Sequence, residues 1–186
     1  MLDIPQYDHA QAAKRMKSGD TEGATKRFGK AIEGYNAFLK RYAKEPTWDE
    51  YKVHINLALV YQEMSQFANA AKMFNWIVDC DTNRYGRRPP NTDVALKKEE
   101  AGYNAGRMRD QAGEDAMKNK AANDPVKAYA LPETKAYFAQ VDLYMKKFGQ
   151  KEEAAELAYN AAIVHYNAKQ HKTAVVVLRD LKQRFP

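Results

Sequence analysis

The sequence predicts an all-α fold, a right-handed α-solenoid built from about four stacked antiparallel helical hairpins. Four segments repeat the same spacing of small and aromatic residues, and such self-similarity is the signature of repeat architectures. Apolar positions recur at steps of three and four rather than two, which indicates helices. Although 45% of the residues are hydrophobic, β-branched runs are scarce, and this also favours helices over strands. The last segment shows the spacing most completely, at Ala158, Ala161, Ala162, Tyr166, Ala174, Leu178 and Leu181.

The first hairpin is predicted over residues 5–46, with a short helix at 8–18 and a long helix from Thr21 to about Tyr42. Apolar residues of the long helix recur at helical spacing, which places them on one face. Three glycines interrupt this helix, each at a cost of about 1 kcal/mol relative to Ala. We expect a neighbouring helix to approach closely at these positions, which are Gly23, Gly29 and Gly34.

The second hairpin is predicted over residues 48–82, with one helix from Trp48 to Met64 and its partner from Phe67 to Val78. Its single cysteine, Cys80, lies at a helix end, where we expect a small buried filler rather than a nucleophile. A loop rich in Asn, Gly and Pro follows over residues 81–93.

The third hairpin is predicted over residues 94–149 and contains an insertion. Its first helix covers residues 94–109, with Asp93 as the capping residue. Residues 112–132 are polar and punctuated by Gly, Asn and Pro, which indicates an inserted, partly helical segment. The second helix begins at Pro132, a residue well suited to a first helical turn, and ends before Gly149.

The fourth hairpin is predicted over residues 152–186, with helices at 152–167 and 171–185. All four hairpins belong to one predicted domain, residues 1–186. A further helix normally covers the last hairpin of a solenoid. We therefore expect either a longer parent protein or a C-terminal hairpin that self-associates.

The pattern resembles the tetratricopeptide repeat, a helix–turn–helix unit with small residues where helices cross. Counting from Ala155, the small residues Ala161, Ala162 and Ala174 match the family's positions seven, eight and twenty, and Pro186 matches position thirty-two. Segments 35–42 and 178–186 further resemble bacterial cell-envelope members of the outer-membrane assembly lipoprotein and Tol–Pal accessory types. The resemblance implies a non-catalytic scaffold for a protein or peptide partner, without cofactors, and favours the periplasm or cell envelope over the cytoplasm.

In this family the first helix of each hairpin lines a concave groove. An asparagine recurs at position six of three successive repeats, and its amide can both donate to and accept from a peptide backbone. Tyrosines beside these asparagines would add flat contact area. The candidate groove residues are Lys52, Asn56, Leu59, Tyr103, Asn104, Arg107, Tyr159, Asn160, Ile163 and Tyr166, with Asp110 at position twelve of the third repeat.

The net charge of +6 leaves two alternatives open. A binder of RNA or of an anionic membrane would use a basic and aromatic surface, and its binding would depend steeply on salt. A structural spacer or self-association module would need no such surface. Because most charges mix in sign along the helices, we favour an ordinary solvated surface and do not expect nucleic acid. Membrane contact would come only through a parent protein. The residues of the electrostatic alternative are Arg84, Tyr85, Arg87, Arg88, Tyr103, Arg107 and Arg109.

The sequence offers no catalytic or metal-binding pattern. The histidines His9, His54, His165 and His171 show no metal-ligand spacing. His54 and His165 fall at positions that pack between helices, so we expect buried imidazoles. The prediction is a protein without catalytic residues, metal or cofactor.

Overall fold

The computed structural model describes residues 2–44, 47–86 and 97–185, and every regular element in these ranges is helical. The all-α prediction is confirmed. A 3-10 helix covers Thr82–Tyr85. The α-helices are α1 Asp3–Lys17, α2 Thr21–Arg41, α3 Trp48–Glu63, α4 Phe67–Asp79, α5 Lys98–Lys120, α6 Pro125–Tyr129, α7 Pro132–Phe148, α8 Glu152–Asn167 and α9 His171–Arg184.

The chain divides into two compact units, residues 1–98 and 99–186, where the sequence predicts a single domain. Helices α1 to α4 form the first unit. There α1 packs on α2, α3 packs on α4, and α2 also contacts α3. In the second unit α8 packs on α9 and on α7, and the short α6 contacts both α7 and α8.

Helix α1 begins at Asp3, five residues before the predicted start at residue 8. Pro5 is buried in its first turn and packs against Gly34 of α2, where an added Cβ would lie 2.9 Å from the Pro5 Cβ. The close approach expected at the glycines is therefore present at Gly34. It is absent at Gly29, which has open space, and Gly23 instead adjoins the capping carboxylate of Asp20.

Large aromatic and aliphatic side chains from three helices form the core of the first unit, including Phe28, Tyr35 and Leu57.

The predicted helices of the second hairpin agree with α3 and α4 to within one residue at each end. Cys80 is buried directly after α4, with its Sγ 3.1 Å from the Tyr85 hydroxyl. This is the small packing role that we expected. The predicted cap, Asp93, lies outside the described residues.

The first helix of the third hairpin is longer than predicted, and residues 112–132, predicted as an inserted and partly helical segment, contain the end of α5 and the whole of α6. Helix α5 does not stop at residue 109 but continues to Lys120. The polar segment contains Ala, Glu, Met and Lys, which are good helix formers, and the single Gly113 costs too little to break the helix. The true break comes at Ala122 and Asn123, which both have positive φ angles, of 50° and 60°.

Helix α6 begins immediately after this break. The Asp124 side chain accepts hydrogen bonds from the backbone N–H groups of Val126 and Lys127, which caps the helix. Helix α7 then starts at Pro132, as predicted.

The core of the second unit contains Tyr137, Tyr144 and Leu157. Two glycines of α5 allow close approach to it: an added Cβ at Gly102 would lie 3.0 Å from the Tyr144 ring, and one at Gly106 would lie 2.9 Å from the Leu157 side chain.

Among the residues that the structure describes, no helix is both long enough and apolar enough to cross a bilayer.

A candidate binding cavity in the second unit

Four helices of the second unit surround a cavity of about 450 Å³. Helix α5 supplies one wall, the turn before α6 together with α6 supplies another, and α7 and α8 complete it. The lining residues are Asp110, Gly113, Glu114, Met117, Asn123, Pro125, Ala128, Tyr129, Thr134, Tyr137, Asn160, Ile163, Val164 and Asn167.

The α5 wall depends on the unexpected length of that helix. Asp110, Gly113, Glu114 and Met117 are spaced by three and four residues, so they share one helical face. All four lie beyond the predicted helix end at residue 109. A loop in their place would not hold these side chains on one face.

The second wall is held by side-chain contacts. The Tyr129 hydroxyl lies 3.0 Å from Nδ1 of His165, and the His165 ring stacks on Phe138 at a centroid distance of 4.2 Å. Thr134 Oγ1 donates a hydrogen bond to the Ala128 carbonyl oxygen over 2.8 Å. Burial lowers the pKa of His165, which keeps its imidazole neutral. These contacts attach α6 to α7 and α8.

The cavity is acidic. Burial, and next the neighbouring Glu114 carboxylate, raise the pKa of Asp110 to about 6. Burial, followed by the charge of Asp110, also raises the pKa of Tyr137, whose hydroxyl donates to the Leu157 carbonyl oxygen over 3.3 Å. The described residues that line the cavity include no Lys or Arg. Among the described residues, the side chains of Asp110 and Asn160 have no hydrogen-bond or ion-pair partner.

A row of exposed apolar side chains runs along α8 beside the cavity. Tyr159 is 51% exposed, Ile163 39% and Tyr166 60%. Their spacing of four and three residues puts them on one face of the helix. The other face of α8 is buried, through Leu157, Ala161 and neighbouring residues. Ile163 belongs to both the exposed row and the cavity lining.

The predicted groove residues of α5 lie nearby in the same unit. The Tyr103 hydroxyl donates a hydrogen bond to Oε2 of Glu156 on α8 over 2.8 Å. Arg107 is exposed, with its Cζ 6.0 Å from the centroid of the Tyr103 ring. Asn104 is half-buried and does not line the cavity. The structure thus brings Tyr103 to α8 and places Asn160 and Ile163 in the cavity.

The three predicted groove residues of the first unit share one face of α3 at a spacing of four and three residues, but they do not line a common cleft. Lys52 lines a surface cleft that also includes Gln6 of α1. Asn56 lines a different shallow cleft with Gln6, His9 and Tyr35. Leu59 is exposed on the same helix and lines neither cleft. Burial raises the pKa of Tyr35 to about 12, and the adjacent Asn56 side chain partly opposes this shift.

Most basic residues of the electrostatic alternative either contact other side chains, are half-buried, or are not among the described residues. Arg84 forms an ion pair with Glu50 at 2.5 Å. Its guanidinium also lies over the rings of Tyr85 and Trp76. Arg87 and Arg88 belong to the residues that are not described. Arg109 is half-buried, and this burial lowers the pKa of its guanidinium.

The two histidines that we expected to pack are buried. The His54 ring stacks on Trp76 at a centroid distance of 3.4 Å, and its Nδ1 lies 2.8 Å from the Glu50 carbonyl oxygen. Burial lowers the pKa of His54. Within residues 2–44, 47–86 and 97–185, no group of three or more His, Cys, Asp or Glu side chains converges in a way that could hold a metal ion.

Sequence reasoning missed most of the cavity. Glu114, Met117 and Tyr129 lie in the segment that the sequence predicts to be an insertion, and Tyr137 lies on the second helix of the third hairpin. The helical spacing from Asp110 to Met117 was the available signal. Gly113 and the polar composition obscured it.

Comparisons with known proteins give no relative for this chain. No family model matches it. No curated protein matches it, and no solved structure does.

Proposed function

We propose that this chain is a non-catalytic protein-interaction scaffold whose second unit binds a peptide or helical segment of a partner protein. The binding surface consists of the exposed row on α8, the adjacent cavity, and Tyr103 and Arg107 on α5. The observation that carries this proposal is the row of Tyr159, Ile163 and Tyr166, exposed at helical spacing beside an open cavity.

Three large apolar side chains in a row are costly to expose to water without a partner. Burying apolar area stabilises a complex by about 25 cal/mol per Å². Tyrosine is also favoured at binding surfaces, because its rigid ring gives a large contact at a low entropic cost. The row spans eight residues of α8, about 10 Å at the helical rise. That length matches about three residues of an extended peptide.

The wider proposal is an α-solenoid of the tetratricopeptide type. Packing of α1 on α2, α3 on α4 and α8 on α9 supports repeated hairpins. In such a scaffold, Lys52, Asn56 and Leu59 would provide a second contact surface in the first unit. The likeness to cell-envelope scaffolds makes an assembly in the bacterial envelope the proposed setting.

A binding role fits the cavity better than a catalytic one. Asp110 is a carboxyl group with a raised pKa, a property that is also found in general acids. The hydroxyl of Thr134, however, donates to the Ala128 carbonyl oxygen, and the Tyr129 hydroxyl is held by His165. His165, the base beside Tyr129, is buried against Phe138 and does not line the cavity. These contacts give both hydroxyls a structural role, which favours recognition over catalysis.

Selection from a displayed library of random twelve-residue peptides tests the proposal. We expect the chain to enrich a family of peptides whose affinity falls at least tenfold in Tyr159→Ala and in Ile163→Ala. Tyr7→Ala is the matched control, because Tyr7 is a similarly exposed tyrosine of the first unit, at 57%. Circular dichroism should show the same helicity in all variants.

Two results would contradict the proposal. The first is a library from which no peptide is enriched over several rounds. The second is a set of peptides that bind Tyr159→Ala as tightly as the native chain. Nucleic acid or anionic vesicles that bind with a steep salt dependence would support the electrostatic alternative instead.

A further inference from the structure

We propose that the cavity of the second unit receives an arginine or lysine side chain of the bound peptide, with Asp110 as its counter-ion and Glu114 as a second carboxylate. This inference rests on the proposed peptide-binding function and names the residue class that anchors the peptide. It assigns a role to the cavity, whereas the exposed apolar row accounts only for contacts along α8.

The cavity is large enough to admit one long side chain. Its volume of about 450 Å³ lies in the lower part of the range for ligand pockets, about 300–1,000 Å³. It opens next to Ile163, which also belongs to the exposed row. A peptide that lies along the row can therefore insert a side chain without leaving α8.

The charges in the cavity favour a cation. Two carboxylates face a space whose described lining contains no Lys or Arg, although the whole chain carries a net charge of +6. A partly buried carboxylate without a partner is unfavourable, and a paired cation removes much of that cost. An anionic side chain would be repelled. A neutral one would leave Asp110 uncompensated.

The remaining lining fits the rest of such a side chain. Met117, Ile163 and Val164 offer apolar surface for the methylene stem, which Lys and Arg commonly bury. The rings of Tyr129 and Tyr137 are suitable neighbours for a cation. The unpartnered amide of Asn160 provides an acceptor oxygen for a guanidinium or ammonium N–H group.

Binding of a cation should depend on pH in a defined direction. Among the described residues, three titratable groups share the cavity lining with Asp110. They are Glu114 on the same helix, Tyr137 on α7 and Tyr129 on α6. Helix α8 contributes uncharged side chains there. Because the pKa of Asp110 is about 6, this carboxyl is ionised at pH 7.5 and mostly protonated at pH 5. The cation should therefore bind more weakly at pH 5.

The decisive probes are N-acetyl-arginine N-methylamide and N-acetyl-lysine N-methylamide, compared with the citrulline analogue, a neutral isostere of arginine. Each is titrated into the full chain and followed by amide chemical shifts. We expect the cationic probes to bind at least tenfold more tightly than the citrulline probe at pH 7.5. This preference should fall several-fold at pH 5.

Asp110→Asn should abolish the preference for the cation, and Glu114→Gln should reduce it. Asp115→Asn is the matched control, because Asp115 is an acid of the same helix that does not line the cavity. The inference is overturned if the citrulline probe binds as well as the arginine probe, or if Asp110→Asn leaves the preference intact. Amide spectra of each variant establish that it remains folded.

The peptide selection separates this inference from the proposed function. Peptides that depend on Tyr159 but show no preferred basic position would leave the scaffold proposal intact and overturn the basic anchor. A basic position that is enriched by the native chain and lost with Asp110→Asn supports both. A third outcome is possible: the library enriches no peptide, but the small cationic probes still bind more tightly than the citrulline probe. That outcome would overturn the scaffold proposal and support a cation site in the cavity.

Discussion

Residues that the sequence predicts to occupy equivalent repeat positions have different surroundings in this chain. The recurring asparagines illustrate this: Asn56 lies beside Tyr35 in a shallow cleft, Asn104 is half-buried away from the cavity, and Asn160 lines the cavity. A repeat pattern fixes the helical face of a residue. Its partners depend on which helices pack against that face.

Asp110 should reduce the stability of the folded chain at neutral pH. Its pKa is raised in the folded state, from 3.8 to about 6, so the folded protein holds this proton more tightly than the unfolded chain does. The associated stability is present at low pH and is lost as the pH rises through 6. Asp110→Asn should therefore increase the free energy of unfolding at pH 7.5, by about 1 kcal/mol after allowance for solvent screening.

Urea denaturation at several pH values measures this effect. The advantage of Asp110→Asn over the native chain should shrink as the pH falls from 7.5 to 4.5. Asp115→Asn provides the same chemical change outside the cavity. An equal advantage at both pH values would show that the carboxyl of Asp110 is not perturbed.

At the scale of helices, the sequence predicted most boundaries well because the apolar periodicity was strong. Helices α2, α3, α4, α7, α8 and α9 agree with prediction to within one residue at each end. The other three helices differ from the prediction. Helix α1 begins earlier because Pro5 occupies its first turn, and α5 runs further because Gly113 and the polar residues do not break it. The short α6 lies in a segment that the sequence predicts only as partly helical.

Glycines in these helices have different roles, and paired substitutions distinguish them. An added Cβ at Gly106 would lie 2.9 Å from the Leu157 side chain, whereas Gly29 has no neighbour within 4 Å. Gly106→Ala should destabilise the chain by about 1–3 kcal/mol through overpacking. Gly29→Ala should stabilise it by about 0.5–1 kcal/mol, because Ala has the higher helix propensity.

Thermal and urea denaturation of both variants measures the difference. A Gly106→Ala protein as stable as the native chain would mean that α5 does not pack against α8 at this point. A destabilised Gly29→Ala protein would indicate a contact of α2 that the described structure does not contain.

At the scale of the whole molecule, the last helix presents an apolar face to solvent. Ala174 is the buried residue of α9, while Val175 is 44% exposed, Val176 65% and Leu178 39%. This surface is the physical basis for the predicted self-association of the C-terminal hairpin. Val175 and Leu178 lie three residues apart and so share one face of the helix.

Analytical ultracentrifugation over a range of chain concentrations tests self-association. We expect a mass above 21.2 kDa at high concentration, and a monomer when Val175 and Leu178 are both changed to Lys. Ile4→Lys is the control, because Ile4 is an exposed apolar residue of the first unit, at 73%. A native chain that remains monomeric throughout would contradict the prediction.

The sequence alone determined the all-α fold and most helix boundaries, because local apolar spacing and turn residues control both. Helical spacing in the sequence also places Asn160 and Ile163 on one face of α8. Only the tertiary structure revealed the two compact units and the cavity. Its walls combine residues 110–117 with Tyr129, Tyr137 and α8, so they depend on contacts between helices that no local pattern encodes. The raised pKa of Asp110 has the same origin, because it depends on what the packed helices bury around that carboxyl.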